Sequence, residues 1–103
     1  RGWLGIEPQD ITPDLARAFK LERAGGVVVA GVIRGGPGGR AGLRVGDILV
    51  EVGGEKVTDT SGLLRQIAAL TPGQRVALTV LRGGRETRLE AEVGRRPARP
   101  AGR

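Results

Sequence analysis

Gly36-Pro37-Gly38-Gly39-Arg40-Ala41-Gly42-Leu43-Arg44-Val45-Gly46-Asp47-Ile48-Leu49 is the stretch on which the fold turns. Gly36 to Leu43, with Pro37 near its head and Ala41-Gly42-Leu43 at its end, suits one short helical turn rather than a long helix. Gly46-Asp47 is a turn signal, with Asp47 expected to stabilise the turn. Ile48-Leu49-Val50-Glu51-Val52 then reads as a strand. Each Gly inside a helix costs about 1 kcal/mol against Ala, so Gly36, Gly38 and Gly39 predict a frayed turn. Gly36-x-Gly38 after a strand invites a dinucleotide-loop reading. That reading fails, because no third Gly has the spacing, no long helix follows and Pro37 is out of place.

Upstream, Val27 to Ile33 is β-branched and continuous, which predicts a strand buried on both faces. Gly25-Gly26 breaks the chain before it. Thr12-Pro13 signals a helix start, Thr12 as N-cap and Pro13 in the first position. Leu15 and Phe19 share one face with Ala16 beside them, giving a short amphipathic helix through about Lys20. Leu4-Gly5-Ile6-Glu7 reads as a strand that Pro8 weakens or ends. Before it, Arg1-Gly2-Trp3-Leu4-Gly5-Ile6 reads as a glycine-hinged loop running into that strand. Gly5 lets the backbone turn so that successive N–H groups face one point. Such a nest suits an anion, and a peptide's terminal carboxylate is a natural occupant.

Downstream, Gly53-Gly54 turns the chain into a brief strand at Lys56-Val57. Asp59 or Thr60 caps a helix over about Ser61 to Leu70. Leu63, Leu64, Ile67, Ala68 and Leu70 give it a broad apolar face, and Thr71-Pro72-Gly73 ends it. Val76 to Leu81 is a strand, Gly83-Gly84 a two-residue hairpin turn. Thr87, Leu89, Ala91 and Val93 then alternate with Arg88, Glu90 and Glu92 along a half-exposed strand. The sum is a small, partly open α+β barrel or sandwich with five to six strands, two main helices and one helical turn.

Composition narrows the chemistry. At 103 residues the chain is one domain, large enough for a modest core. It has no Cys and no His, and Ser61 is its single Ser. A Ser-His-Asp triad, a thiolate nucleophile and Cys or His metal sites are therefore excluded from these residues. No cofactor and no metal is expected, and an autonomous enzyme is disfavoured because no paired carboxylate or Lys constellation is evident. The longest apolar run, Val27 to Ile33, is too short to span a bilayer as a helix. The net charge is +6, but Arg95, Arg96, Arg99 and Arg103 hold four of those charges with no acid among them. The rest interleaves Arg with Glu and Asp as a solvated surface does. One Trp and one Phe make no platform for stacking bases, so nucleic acid is not an expected partner. Residues 95–103, rich in Pro, Arg, Ala and Gly, are expected to form a disordered tail or linker. The abrupt start in a motif suggests an excised domain.

The amino-terminal hexamer, the Gly36–Leu49 run and the helix from Thr60 to Thr71-Pro72-Gly73 occur in an order that resembles a PDZ domain. The resemblance is to the C-terminal PDZ domain of HtrA/Deg-type, trypsin-like bacterial serine proteases, and covers residues 1–94. It implies the circularly permuted strand order of those proteases, in which the carboxylate-binding loop opens the domain. It implies that the N–H groups of Leu4, Gly5 and Ile6 hold a ligand's carboxylate, and that the ligand adds as a strand between β-strand and helix. Leu4, Ile6, Leu64 and Ile67 would form the pocket for the last ligand residue, with Ala68 on its far side and Arg1 as an auxiliary charge. Leu63 reads as core. The implied partners are hydrophobic C-termini of unfolded or cleaved polypeptides and the protease domain of the same parent. The implied setting is the bacterial periplasm or cell envelope, with the fragment itself a monomer and not inserted in the membrane. Rival parents are a site-2 metalloprotease, a tail-specific protease or a PDZ-like assembly module of the cell envelope. One departure stands out: Pro8 falls where the family donates an N–H to the ligand strand, and proline has none.

Overall fold

The computed structural model describes residues 1–18, 20 and 25–97. In chain order the elements are β1 (Gly2–Trp3), β2 (Ile6–Asp10), α1 (Pro13–Ala18), β3 (Val27–Val32), α2 (Pro37–Ala41) and β4 (Ile48–Val52). There follow β5 (Glu55–Lys56), α3 (Thr60–Ala68), β6 (Arg75–Arg82), β7 (Arg85–Glu92) and β8 (Gly94–Arg95). The main sheet is antiparallel with strand order β2-β3-β4-β6-β7, and β5 hangs on β4. It is open, since neither β2 nor β7 closes back on the other. The mixed α+β architecture is the one read from the sequence.

Several boundaries move. Leu4 and Gly5 lie outside β2, and β2 runs through Pro8 to Asp10 rather than ending there. It tolerates the proline because it is an edge strand, where one row of N–H groups has no sheet partner. Glu7 pairs with Gly31 and Pro8 with Val29, so Ala30 is the extra residue of a bulge. β3 is buried only in its first half: Val27, Val28 and Val29 are buried, whereas Ala30 and Ile33 are exposed. The short strand after Gly53-Gly54 is Glu55–Lys56, one residue earlier than read. Phe19, assigned to the first helix with Leu15, lies outside the described residues. Thr12 does cap α1, its Oγ1 accepting the Leu15 N–H at 3.1 Å. The two-residue sheet of β1 with β8 carries regular pairing to Arg95.

The core gathers Leu4, Val27, Leu43, Leu49, Val52, Val57, Leu63, Ile67, Leu78, Val80 and Val93 from every layer. Leu63 is fully buried, as its place on α3 predicts. Asp47 is the one buried charge among the described residues, 2% exposed. Its carboxylate accepts Nε and Nη2 of Arg82 at 2.8 and 2.7 Å and the Arg44 N–H at 2.9 Å. Arg82 Nη2 also donates to the Gly42 carbonyl at 2.8 Å. Asp47 therefore does more than stabilise its turn: it joins β6 to the end of α2. Burial pushes its carboxyl up, but the Arg82 guanidinium and the Arg44 N–H outweigh that and hold it below the usual 3.8.

Candidate functional site

The outer edge of β2 faces α3. Two ties set the spacing of these walls. At one end the first backbone N–H of α3, from Thr60, donates to Asp10 Oδ1 at 2.7 Å. At the other, β1 lies directly on the end of α3, where a Cβ on Gly2 would meet the Ile67 carbonyl at 2.3 Å. Asp59 caps α3 by accepting the Gly62 N–H at 2.7 Å. The strand and helix run antiparallel, so a groove extends from the Leu4–Ile6 loop to Asp10.

The loop turns its donors toward that groove by holding its carbonyls elsewhere. The Leu4 carbonyl accepts the Gly38 N–H at 2.8 Å, and the Gly5 carbonyl accepts the Ile33 N–H at 2.9 Å. In a trans peptide the C=O and the following N–H point in opposite directions. Fixing the Leu4 carbonyl on α2 therefore aims the Gly5 N–H away from α2, and fixing the Gly5 carbonyl on Ile33 aims the Ile6 N–H away from β3. Ile6 opposite Val32 is consequently a non-hydrogen-bonded pair, whose own polar groups face outward. Among the described residues neither the Leu4 nor the Gly5 N–H has an acceptor. Gly5 sits at φ +70°, the left-handed region that favours glycine. The Trp3 ring would lie 3.1 Å from any Cβ there, so Trp3 roofs the loop.

Pro8 obeys the same register. Val29 directs its N–H to the Asp47 carbonyl at 2.8 Å and accepts the Gly46 N–H at 2.9 Å, away from β2. Pro8, opposite Val29, therefore presents its carbonyl and its missing N–H to the groove.

The side chains named from the sequence divide by burial. Leu4 and Ile67 are 1% and 5% exposed and belong to the core, with half-buried Ile6 packed against it. Leu64 is 52% exposed on α3, and Ala68 lies one turn further along at half-burial. Arg1 is exposed and, among the described residues, has no ion-pair partner. Three contributors escape a sequence reading. Gly38 supplies the N–H that orients Leu4, Gly2 seats α3, and Asp10 ties the groove's walls. Only Gly38 carries a signal, a glycine inside a helical turn where Ala would be better, which marks a close approach. Among the described residues no cluster of acidic side chains is placed to hold a metal ion.

An edge strand beside a helix, headed by outward N–H groups, is the arrangement that defines a PDZ domain. The PDZ domain family matches residues 2–93, and the chain belongs to that family. Within it, the chain is similar to bacterial proteins named as DegP-like serine endoproteases and to solved structures of HtrA-type proteases. The chain is 38% identical over 98 residues to the "Probable periplasmic serine endoprotease DegP-like" of Rhizobium meliloti (strain 1021), covering 95% of this chain and 19% of that protein. The protein of the same name from Hahella chejuensis (strain KCTC 2396) is also 38% identical, over 95% of this chain and 21% of its own length. The chain thus spans about a fifth of these curated relatives. Among solved structures, the HtrA-type protease AlgW with a decapeptide superposes with TM-score 0.86 at 42% identity, covering 96% of this chain and 30% of that one. The HtrA3 PDZ domain bound to a phage-derived ligand (FGRWV) gives 0.75 at 29%, over 90% and 85%.

Proposed function

We propose that this domain binds the C-terminal end of a polypeptide as an added strand along the free edge of β2. The N–H groups of Leu4, Gly5 and Ile6 hold the terminal carboxylate. The last side chain enters the pocket of Leu4, Ile6, Leu64, Ile67 and Ala68, where Leu4 and Ile67 form the floor and Leu64 the exposed lip. Arg1 adds positive charge near the carboxylate. The observation that carries this reading is the carbonyl capture just described: it aims the Gly5 and Ile6 N–H groups away from α2 and β3, and among the described residues the Leu4 and Gly5 N–H groups have no acceptor. Unpaired backbone donors of this kind are costly unless water or a ligand satisfies them.

The ligands are hydrophobic C-termini of unfolded or cleaved polypeptides. The chain itself contributes no catalytic group. It serves substrate recognition or regulation in a parent HtrA-type serine endoprotease of the bacterial periplasm, as the names of its relatives support. Domain 1–94 does the binding and residues 95–103 link or trail it. Without an N–H at Pro8, affinity rests on the carboxylate and the final side chain. Kd values of roughly 1–100 μM, about −8 to −5.5 kcal/mol, follow.

Peptides ending in Val, Leu, Ile or Phe, each as free acid and C-terminal amide, test the reading by fluorescence anisotropy. Micromolar binding of the acids with loss for the amides is expected. Equal binding of acids and amides, or none of either, overturns it and favours an assembly module that works through another face. A gain of about tenfold or more from residues upstream of the last two would contradict the role given to Pro8, since a lost rung is worth only about 0.5–1.5 kcal/mol.

A further inference from the structure

We infer that the Asp10–Thr60 hydrogen bond closes the groove at its upstream end, so that the site takes at most the last four residues of a chain. The inference rests on the strand-addition reading and adds a length limit to it. Asp10 is the final residue of β2 and Thr60 the first of α3, and a 2.7 Å bond joins side chain to backbone between them. Standard bond lengths let an Asp carboxyl oxygen stand only about 3.6 Å from its own Cα. The Asp10 Cα and the Thr60 N are therefore no more than about 6.5 Å apart. A strand lying between them needs about 4.8 Å to β2 and a further 3.5–4 Å of contact distance to the helix. Where an added strand passes between these two atoms, the interval is too narrow by roughly 2 Å.

The reach of the open part follows from the register. Ile6 and Asp10 bound β2, and at about 3.3 Å per residue the strand between them runs on the order of 13 Å. A ligand whose carboxylate sits at the Leu4–Ile6 loop meets the closure with its fifth residue from the end. A longer chain must leave the groove there rather than continue along β2.

Besides tying the groove's walls, this bond satisfies the first N–H of α3, which Asp59 leaves free because its carboxylate accepts from Gly62. Asp59 caps α3 as well, so the helix start does not depend on Asp10 alone. The Thr60 N–H in turn holds the Asp10 carboxyl below its usual 3.8, and the ionised carboxylate makes the bond charge-assisted near neutral pH. Asp10 is exposed, so its replacement leaves the core intact.

The test compares the wild-type chain with Asp10→Ala against peptides of three, four, six and eight residues that share one hydrophobic C-terminus. Wild-type affinity is expected to stay level, within twofold, from four residues to eight. In Asp10→Ala the eight-residue peptide is expected to bind at least threefold tighter than the four-residue one. A threefold gain with length in the wild type, or the same length profile in both proteins, overturns the closure. Hydrogen exchange at the Thr60 amide gives a second readout. Protection that persists with the eight-residue peptide bound to the wild type supports the closure, and its loss overturns it. The two levels separate cleanly: failure of every free-acid peptide to bind either protein removes the strand-addition reading and the closure with it, whereas free-acid binding with identical length profiles removes the closure alone.

Discussion

Replacing Gly38 with Ala sets helix propensity against packing at the residue whose N–H holds the Leu4 carbonyl. Propensity alone favours the change by about 1 kcal/mol. The added methyl would stand 2.9 Å from Ile6 Cγ2, 3.0 Å from the Leu4 carbonyl oxygen and 3.1 Å from Leu43 Cδ1. Comfortable carbon contacts are about 3.5–4.0 Å, and overpacking of this kind costs about 1–3 kcal/mol. The Leu4 oxygen cannot retreat without lengthening the 2.8 Å bond it accepts from Gly38. Packing therefore wins, with a net loss of about 1 kcal/mol and a fall in Tm of about 4–8 °C. The effect on binding is larger. Moving the Leu4 carbonyl swings the Gly5 N–H on the same peptide plane away from the groove. A hydrogen bond to a charged group is worth about 1.5–3 kcal/mol, so free-acid peptides lose about tenfold or more in affinity. Gly39→Ala is the matched control. It has the same propensity gain, and its nearest new contact is Val32 Cγ1 at 3.2 Å, a side chain able to yield. Peptide binding to Gly39→Ala should match wild type within twofold. Titration calorimetry and thermal melts read both effects. Equal affinity and equal Tm for the two variants would refute the reasoning.

Asp47→Asn should lower stability by about 2 kcal/mol at pH 7, below the range for breaking a fully buried pair because the Arg82 side chain is 28% exposed. The native Asp47 carboxyl titrates below 3.8, so its contribution is complete above that value and is lost as pH falls through the lower native one. Urea melts should show the gap between variant and wild type closing in acid, and a gap that holds at all pH values would exclude the ion pair as its cause. Pro8→Ala restores a groove-facing N–H and should tighten four-residue peptides about two- to twelvefold, from about 0.5–1.5 kcal/mol for one bond. A two-residue peptide does not reach that rung, so an equal gain for both lengths would refute the register.

Much of the fold was legible because its signals are local. Gly83-Gly84 turns β6 into β7, Thr12 caps α1, and the alternation of Leu89, Ala91 and Val93 marks a half-exposed strand. Glycine content read as propensity leaves out a packing role. The sequence predicts a frayed turn at Gly36–Gly39, yet Pro37 and Gly38 are buried and Gly42, at φ 101°, closes the turn with its N–H on the Gly38 and Gly39 carbonyls. Gly38 is there because nothing larger fits against Ile6 and Leu4. Pro8 is the opposite case, since a residue that breaks a central strand is harmless where its N–H has no sheet partner. Asp47 looked like a turn residue because its partner, Arg82, lies on a strand far along the chain. Asp10 gave no sign at all, for the same reason.

The candidate site shows why a loop can be found in a sequence while its function stays one step away. Leu4-Gly5-Ile6 announces a bend, but a bend does not say which way its N–H groups face. That direction is set by what captures the carbonyls: Gly38 for Leu4 and Ile33 for Gly5. Gly38 in turn belongs to a helix whose far end, Gly42, is held by the same Arg82 nitrogen that pairs with Asp47. An ion pair built on the buried Asp47 thus anchors the helix that aims one of the loop's donors. The donors themselves are neutral amides of a short loop, with α2 too brief at five residues to lend a helix dipole of any size. On the proposed reading, selection for a carboxylate depends on the angles of two peptide planes, and those angles depend on packing contacts near Gly38 rather than on any charged residue that composition would reveal.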